Sequence, residues 1–344
     1  MIRALVAVTE RRAIGAAAIL ACLALALAAG CGGASRENPP TGGGSPATQG
    51  ASHHASAKAS PKASAMATGE GEAGAGAATS DAGRPAVRLV FVDVGQGDAV
   101  IIKAGSFDCL IDGGPRGAED HLESELRRVG VRRLDLLVVT HPHADHIGDL
   151  PEVIRDFKPK RAVVDEGWPT ATYAGVRRAL ASAGTAVGRR WRGAHLRLGP
   201  VGATVLSPRR LSGEPNADSV VLLLDAYERR ILLTGDVTGE SESILSAVLA
   251  RGPRLYLLKV AHHGSDWSTS ATFLAAARPR FAVIEVGANP YGYPSVETVG
   301  RLRAEGARVY STRKNGDIRV TIAPSGVVIW RFGRSVKPVT AGVR

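Results

Sequence analysis

Short apolar runs alternate with amphipathic segments along the chain from residue 88 onward. The runs at 88–94, 99–103 and 108–111 are separated by Gly-bearing turns, which predicts three strands. The spacing of apolar residues over 119–128 predicts a helix. The continuous apolar run at 134–140 is typical of a strand that is buried on both faces.

The same mixed pattern continues to the end of the chain. Further strands are predicted over 161–165, 194–198, 203–206, 219–225, 230–234, 255–261, 281–286, 307–311, 318–323 and 327–332, and further helices over 172–183, 240–249, 270–277 and 296–305. Strands in runs, interrupted by single helices, suggest an α/β (α+β) arrangement of two sheets with helices on their outer faces. We therefore expect one domain spanning 86–334.

Residues 1–31 have the pattern of a signal peptide. They carry three arginines, and the uncharged run at 13–29 is shorter than the roughly 20 residues that span a membrane. The run leads to Cys31 in a sequence that resembles a bacterial lipobox, which predicts lipidation of Cys31. An uncleaved N-terminal anchor and plain secretion are the alternatives. In all three cases we expect the domain to be exported, and in the first it is a lipoprotein on the extracytoplasmic face of the cell membrane.

Residues 32–85 are rich in Gly, Ala, Ser and Pro. Such a segment cannot bury enough apolar surface to offset the entropy of an ordered chain. We therefore expect a disordered linker that tethers the domain to the membrane, with His53 and His54 as neutral linker positions.

The net charge is +11 at pH 7, and most of it lies after the linker. A basic domain suits a polyanionic partner such as nucleic acid or an anionic surface, although a generally Arg-rich composition gives the same balance. Cys109 is the only cysteine beyond Cys31, so no disulfide can form within the domain.

The segment 140–146, Thr-His-Pro-His-Ala-Asp-His, directly follows the predicted buried strand. It therefore lies at the carboxyl end of a strand, where α/β proteins usually build their sites. Three imidazoles and a carboxylate in so short a stretch are costly in a core and unusual on a surface. Together they suit zinc, manganese or iron, so the segment predicts part of a metal site.

Two later strand ends could supply the rest of a two-metal site. Asp236 follows the strand at 230–234 just past a glycine, and His262 and His263 follow the strand at 255–261. Alone, Asp236 would be an ordinary turn residue and the paired histidines only suggestive. Beside the first cluster, they are the bridging carboxylate and the distal ligand that a dinuclear site needs.

The domain resembles the metallo-β-lactamase superfamily, and within it the soluble domain of the ComEC competence proteins, which act in DNA uptake. The Gly-Gln-Gly-Asp and His-His-Gly-Ser elements are specific to this branch. The matching motifs lie at 93–99, 110–114, 141–146, 216, 219–222, 233–236, 258–265 and 289–295.

The resemblance implies an αββα four-layer sandwich that holds two divalent metal ions, zinc or manganese, at one edge. By motif, the implied ligands are His141 and His143 on the first metal, Asp145 and His146 on the second, Asp236 between them, and one of His262 and His263 completing the second site. Which of these last two histidines is the ligand stays open.

Further positions are assigned by the same resemblance. Asp112 is expected to orient a ligand, and Asp98 to lie behind the ligands in the same way. Ser265 is expected to line the site and, with Asn216, to contact substrate. A further histidine ligand found in many members has only His195 as a candidate here, and we favour a different role for that residue. Tyr293 stands where a histidine is expected in the ComEC relatives.

The predicted activity is metal-dependent hydrolysis, in which a metal-bridged hydroxide attacks a phosphorus or carbonyl centre. Asp145, His262 and His263 are the predicted catalytic residues. DNA or a related phosphodiester is the favoured substrate. The alternatives are a cell-surface or small-molecule esterase, of the phosphocholine esterase or lactonase kind, and a non-catalytic DNA-binding lipoprotein.

Overall fold

The structure, a computed structural model, describes residues 83–164, 170–326, 328–333 and 339–341. The predicted signal segment with Cys31, and residues 32–82 of the predicted linker with His53 and His54, lie outside the described residues. These assignments and the domain bounds 86–334 therefore stay predictions. In the part of the chain that is described, no helix is both long enough and apolar enough to cross a membrane.

The described residues form sixteen strands, eight α-helices and one 3₁₀ turn at Ala261–Gly264. The strands are β1 Val87–Phe91, β2 Val100–Ala104, β3 Phe107–Ile111, β4 Leu136–Val138, β5 Arg161–Val163, β6 Ala186–Gly188, β7 His195–Leu198, β8 Val201–Ser207, β9 Val221–Ala226, β10 Arg229–Leu233, β11 Leu257–Lys259, β12 Phe281–Ile284, β13 Arg308–Ser311, β14 Ile318–Ile322, β15 Val328–Phe332 and β16 Val339–Ala341. The helices are α1 Glu119–Arg128, α2 Ala144–Ile147, α3 Leu150–Phe157, α4 Ala171–Ser182, α5 Gly239–Leu249, α6 Ala271–Ala277, α7 Val296–Ala304 and α8 Thr312–Asn315.

These strands form two sheets. The first has nine strands in the order β16-β15-β14-β1-β2-β3-β4-β5-β6, and the second has seven in the order β13-β12-β11-β10-β9-β8-β7. Each sheet contains a run of parallel strands, β3 to β6 in the first and β10 to β13 in the second. Parallel strands have their carboxyl ends at one edge of the sheet, and this edge carries the site in each case.

Apolar side chains on both faces of each sheet make four layers. In β1, Val87, Leu89 and Phe91 pack between the sheets, whereas Val90 packs against the helices α1, α3 and α4. This division follows from the two-residue period of a strand. Helices α5, α6 and α7 cover the second sheet through a separate apolar cluster. The expected αββα sandwich is therefore confirmed.

Several short elements differ from the sequence prediction. Strand β4 ends at Val138, earlier than predicted, because the backbone N–H of Thr140 donates to Asp112 Oδ1 at 2.8 Å rather than to a neighbouring strand. Helix α3 was missed, although its residues Leu150, Val153, Ile154 and Phe157 are buried at helical spacing. Strand β6 was missed because its three residues are largely exposed and carry no apolar pattern.

Close backbone contacts tie the Gly-Gln-Gly-Asp loop to the segment that carries Asp145. The N–H of Asp98 donates to the carbonyl of Asp145 at 3.2 Å. Gly97 has a φ of 149°, and a Cβ placed there would lie 2.1 Å from the same carbonyl oxygen. A side chain at residue 97 therefore cannot be accommodated without moving the chain at Asp145.

We expect Gly97→Ala to reduce the free energy of unfolding by about 1–3 kcal/mol, as overpacked sites do. Urea denaturation would measure the change. The matched control is Gly202→Ala in β8, where an added Cβ meets nothing within 4 Å. Equal stability of the two variants would contradict the tight loop contact.

Candidate metal centre

The ends of β4, β10 and β11 carry the predicted ligands to one edge of the sandwich, with His263 in the turn after β11. His141 and His143 lie in the loop after β4, and Asp145 lies in the first turn of α2. Asp236 follows β10 in the second sheet. The two sheets are joined at this edge by a hydrogen bond from the N–H of Val220 to the carbonyl of Thr140, 2.9 Å long.

The Asp236 carboxylate is the point where these side chains meet. Its Oδ2 atom lies 3.2 Å from His146 Nε2, 3.3 Å from His263 Nε2 and 3.9 Å from His141 Nε2. His263 Nε2 is also 3.1 Å from Asp145 Oδ2. Residues from both sheets therefore surround one buried carboxylate oxygen.

His143 lies at the outer side of this cluster. Its Nδ1 atom is 3.1 Å from His141 Nε2, and the two rings meet edge to face. The structure thus brings together six of the predicted ligands, which are His141, His143, Asp145, His146, Asp236 and His263.

The paired histidines of the 3₁₀ turn point to different places. His262 and His263 have φ values of 50° and 53°, the left-handed conformation that is costly for residues other than glycine. His263 enters the cluster, where it is buried. His262 instead lies 3.4 Å from Ser265 Oγ through its Nδ1, and its ring centre is 5.6 Å from that of Tyr293.

Outer hydrogen bonds fix the ring orientation of two histidines. His146 Nδ1–H donates to Asp112 Oδ2 at 2.8 Å, and His263 Nδ1–H donates to the carbonyl of Glu285 at 2.9 Å. Asp112 is held in turn by the hydroxyl of Thr140 at 2.6 Å. Such partners are typical of histidines that bind a metal through the other ring nitrogen.

This arrangement leaves acceptors facing acceptors. Because Nδ1 of His146 and of His263 donates outward, the Nε2 lone pair of each neutral ring faces the Asp236 oxygen. Either protons or cations must lie between them. In addition, Asp236 Oδ1 and Asp98 Oδ1 are buried without a hydrogen-bond partner among the described residues. The donor set of imidazole nitrogen and carboxylate oxygen therefore fits divalent metal ions such as zinc or manganese.

The pKa values of His146 and His263 also favour positive charge at this position. Burial lowers the pKa of His146, but Asp236, Asp98 and Asp112 raise it well above its ordinary value. At His263, burial also lowers the pKa, but Asp236 and Asp145 raise it well above its ordinary value. Metal binding requires neutral imidazole, so bound ions would replace protons at these two rings.

Lys259 is a component of the centre to which the sequence analysis gave no role. Its ammonium group is buried, contacts Asp98, donates to the carbonyl of Gly235 at 3.0 Å and lies 3.6 Å from Asp236 Oδ1. Burial lowers its pKa, but Asp98, Asp236 and Glu285 raise it above the ordinary value. A lysine inside the apolar strand β11 was the signal that could have identified it.

Three further positions considered from the sequence have no hydrogen bond to the Asp236 carboxylate among the described residues, namely Ser265, Asn216 and His195. Ser265 is buried and close to His262, and the Oδ1 atom of Asn216 is buried without a partner among the described residues. Beside Asn216, the Ser219 hydroxyl accepts from the N–H of Asp236 at 3.1 Å. His195 is exposed in β7, where its Nδ1 lies 3.2 Å from Thr204 Oγ1.

Sequence comparison places this fold and site in a known class. The profile of the Metallo-beta-lactamase superfamily matches residues 92–287, which is more than half of the chain. The protein therefore belongs to the metallo-β-lactamase superfamily, and it is a hydrolase of that superfamily with a candidate metal site.

Competence proteins are among its relatives. The chain is 30% identical over 250 residues to Recombination protein 2 of Haemophilus influenzae, covering 69% of this chain and 29% of that protein. It is 30% identical over 249 residues to ComE operon protein 3 of Bacillus subtilis, covering 66% and 32%, and 31% identical over 245 residues to Competence protein ComA of Neisseria gonorrhoeae, covering 70% and 33%. The chain thus spans about a third of the length of these relatives. The resemblance to proteins of the ComEC type is confirmed.

Loss of the buried ammonium group should destabilise the domain. In Lys259→Met, the Asp98 and Asp236 carboxylates lose a buried counter-charge, so we expect the free energy of unfolding to fall by about 3–5 kcal/mol. Urea denaturation in the presence of a chelator would measure the loss.

Lys160→Met is the matched control for this change. Lys160 pairs with Asp135 at 2.7 Å, but its side chain is 55% exposed, so we expect a loss below about 1 kcal/mol. A Lys259→Met variant as stable as Lys160→Met would mean that the buried lysine does not balance the site.

Proposed function

We propose that this protein is an exported, metal-dependent phosphodiesterase that cleaves DNA or a related phosphodiester. The observation that carries the proposal is the single Asp236 oxygen that His146 and His263 both approach, with His141 close by. A carboxylate surrounded by imidazoles from two sheets has the chemistry of a bridging metal ligand.

Seven side chains would bind the metal ions or orient a metal-binding residue. Divalent ions held there would supply an activated nucleophile and offset the negative charge that develops during hydrolysis. The residues that would hold two ions are His141, His143, Asp145, His146, Asp236 and His263. Asp112 would orient His146 through its 2.8 Å hydrogen bond, and the buried position of this pair would keep the ring in place.

Asp145 and His262 are suited to contact substrate. The Asp145 side chain is 33% exposed, so one carboxylate faces both the buried cluster and the solvent. The His262 ring lies outside the cluster and is half-buried, so a ring N–H can reach a phosphate oxygen or a leaving oxygen. We therefore assign His263 to metal binding and His262 to a hydrogen bond with the substrate.

Two observations support a phosphodiester as the substrate, namely the net charge and the sequence relatives. The chain carries a net charge of +11, which favours polyanionic substrates, and three of its relatives are competence proteins of the ComEC type. Those relatives are about three times longer, so their complete activities are not transferred to this chain.

The test is cleavage of labelled single- and double-stranded DNA by the purified protein with zinc or manganese. We expect cleavage by the native protein and a loss of at least about 100-fold in Asp145→Asn, as expected when a group that contacts the reacting atoms is removed. Hydrolysis of choline phosphoesters or lactones without DNA cleavage would instead favour the esterase alternative.

The two neighbouring histidines provide an internal control. We expect His263→Ala to lose bound metal in elemental analysis, whereas His262→Ala keeps its metal and loses turnover. Equal metal content in both variants, or cleavage by Asp145→Asn at the native rate, would contradict the assigned roles. Binding of DNA without any turnover would favour the non-catalytic alternative.

We also propose that the protein is a lipoprotein attached to the extracytoplasmic face of the membrane through Cys31. The lipobox-like sequence before Cys31 supports this. We expect the native protein to sediment with membranes and to incorporate labelled fatty acid. Cys31→Ala should lose the label, and retention of the label would assign the lipid to another residue.

A further inference from the structure

A short basic segment with a central tryptophan connects the two sheets. Residues 189–192 read Arg-Arg-Trp-Arg, lie between β6 and β7, and are all exposed. Trp191 exposes 38% of its surface, which leaves part of the indole ring available to a ligand. This run of arginines around an aromatic residue was not recognised from the sequence.

The topology places this segment at the same edge as the metal centre. Strand β6 is parallel to β4 and β5, so its carboxyl end at Gly188 lies on the side where β4 leads into His141. Strand β8 is antiparallel to β9, which is antiparallel to β10, so β8 also ends on the side of Asp236. Neighbouring strands lie about 4.8 Å apart. Strand β6 is two positions from β4 and β8 is two positions from β10, so the ends of β6 and β8 lie about 10 Å to the side of the centre.

A second basic stretch lies beside the first. Arg209 and Arg210 follow β8 and are exposed. The N–H of Arg192 donates to the carbonyl of Pro208 at 2.8 Å, and the N–H of Gly193 donates to the carbonyl of Val205 at the same distance. These backbone bonds hold the two stretches side by side.

A groove between the sheets runs from Arg190 towards the amino ends of β4, β5 and β6. Its volume is about 270 Å³, and its charged and imidazole side chains are those of Arg161, Arg190, His195 and Arg197. Within the described residues, its lining contains no carboxylate. We name the surface formed by residues 189–192, Arg209, Arg210 and this groove the arginine rim.

We propose that the arginine rim binds single-stranded nucleic acid and leads it to the metal centre. Arginines along a groove attract the phosphate backbone, and an aromatic ring among them can stack on an unpaired base. A base in a duplex is already stacked and paired, so the Trp191 ring favours a single strand. The inference deepens the proposed function by naming the form of the substrate, and it concerns binding that can be measured without cleavage.

The test uses the full-length protein in the Asp145→Asn background with a chelator, so that no strand is cut. A fluorescein-labelled 20-mer of thymidine is titrated, and anisotropy gives the Kd at several salt concentrations. We expect Trp191→Ala to weaken binding roughly tenfold, because stacking contributes about 1–3 kcal/mol per base. Trp191→Phe, which keeps an aromatic face, should retain most of the affinity.

The arginines are tested by a triple substitution of Arg190, Arg192 and Arg209 to Gln. For single strands each phosphate contact contributes about 0.7 to the slope of log affinity against log salt, so the slope should decrease by about two. The matched control replaces three exposed arginines that precede β11 and β12 at the opposite edge of the second sheet and do not line the groove, which are Arg251, Arg254 and Arg278. This control should leave the Kd within about twofold of the parent, because salt screens the attraction between distant arginines and the bound strand.

Three results would overturn the proposal. One is an equal loss of affinity in the two triple variants, and another is Trp191→Ala binding as tightly as the parent. The third is that the rim variants no longer bind vesicles of phosphatidylcholine and phosphatidylserine but still bind the 20-mer. This result would assign the surface to membrane lipid. If the rim binds the 20-mer but the metal-loaded native protein does not cleave it, the proposed nuclease function is contradicted. The inference about the rim would still stand.

Discussion

Burial of the Asp236 carboxylate is the constraint on which the rest of the site depends. A charge removed from water must be compensated nearby, and here the compensation comes from every side. His146 and His263 approach one oxygen, and the Lys259 ammonium lies near the other. Because these residues come from different strands of two sheets, the site forms only when both sheets are packed together.

The same constraint explains why the outer hydrogen bonds are so regular. An imidazole that turned over would present its N–H to the wrong partner and remove the ring donor from Asp112 or from the Glu285 carbonyl. Glu285 itself is buried beside Asp98, and burial together with that neighbour raises its pKa well above the ordinary value. Asp112 and the Glu285 carbonyl therefore hold the rings of His146 and His263 in place from outside the cluster.

The sequence predicted the sandwich and the cluster because the relevant signals are local. A buried apolar strand followed by His141 to His146, and two later strand ends with Asp236 and His263, can be recognised from residue types and spacing. Other features depend on how distant segments meet. Nothing local indicates that the Lys259 side chain turns towards Asp98, or which of His262 and His263 enters the cluster. The exposed strand β6 has no apolar alternation, and the segment 189–192 acquires meaning only when the sheet order places it beside the site.

The left-handed turn at His262 and His263 has a consequence for how such a site can diverge. Two adjacent residues with φ near 50° send one ring inward to the Asp236 oxygen and the other outward to Tyr293 and Ser265. Evolution can therefore alter the outward residue and its neighbours while the inward ring stays in place. A descendant could acquire a new chemical preference at this edge in single mutational steps without first losing the buried cluster around Asp236.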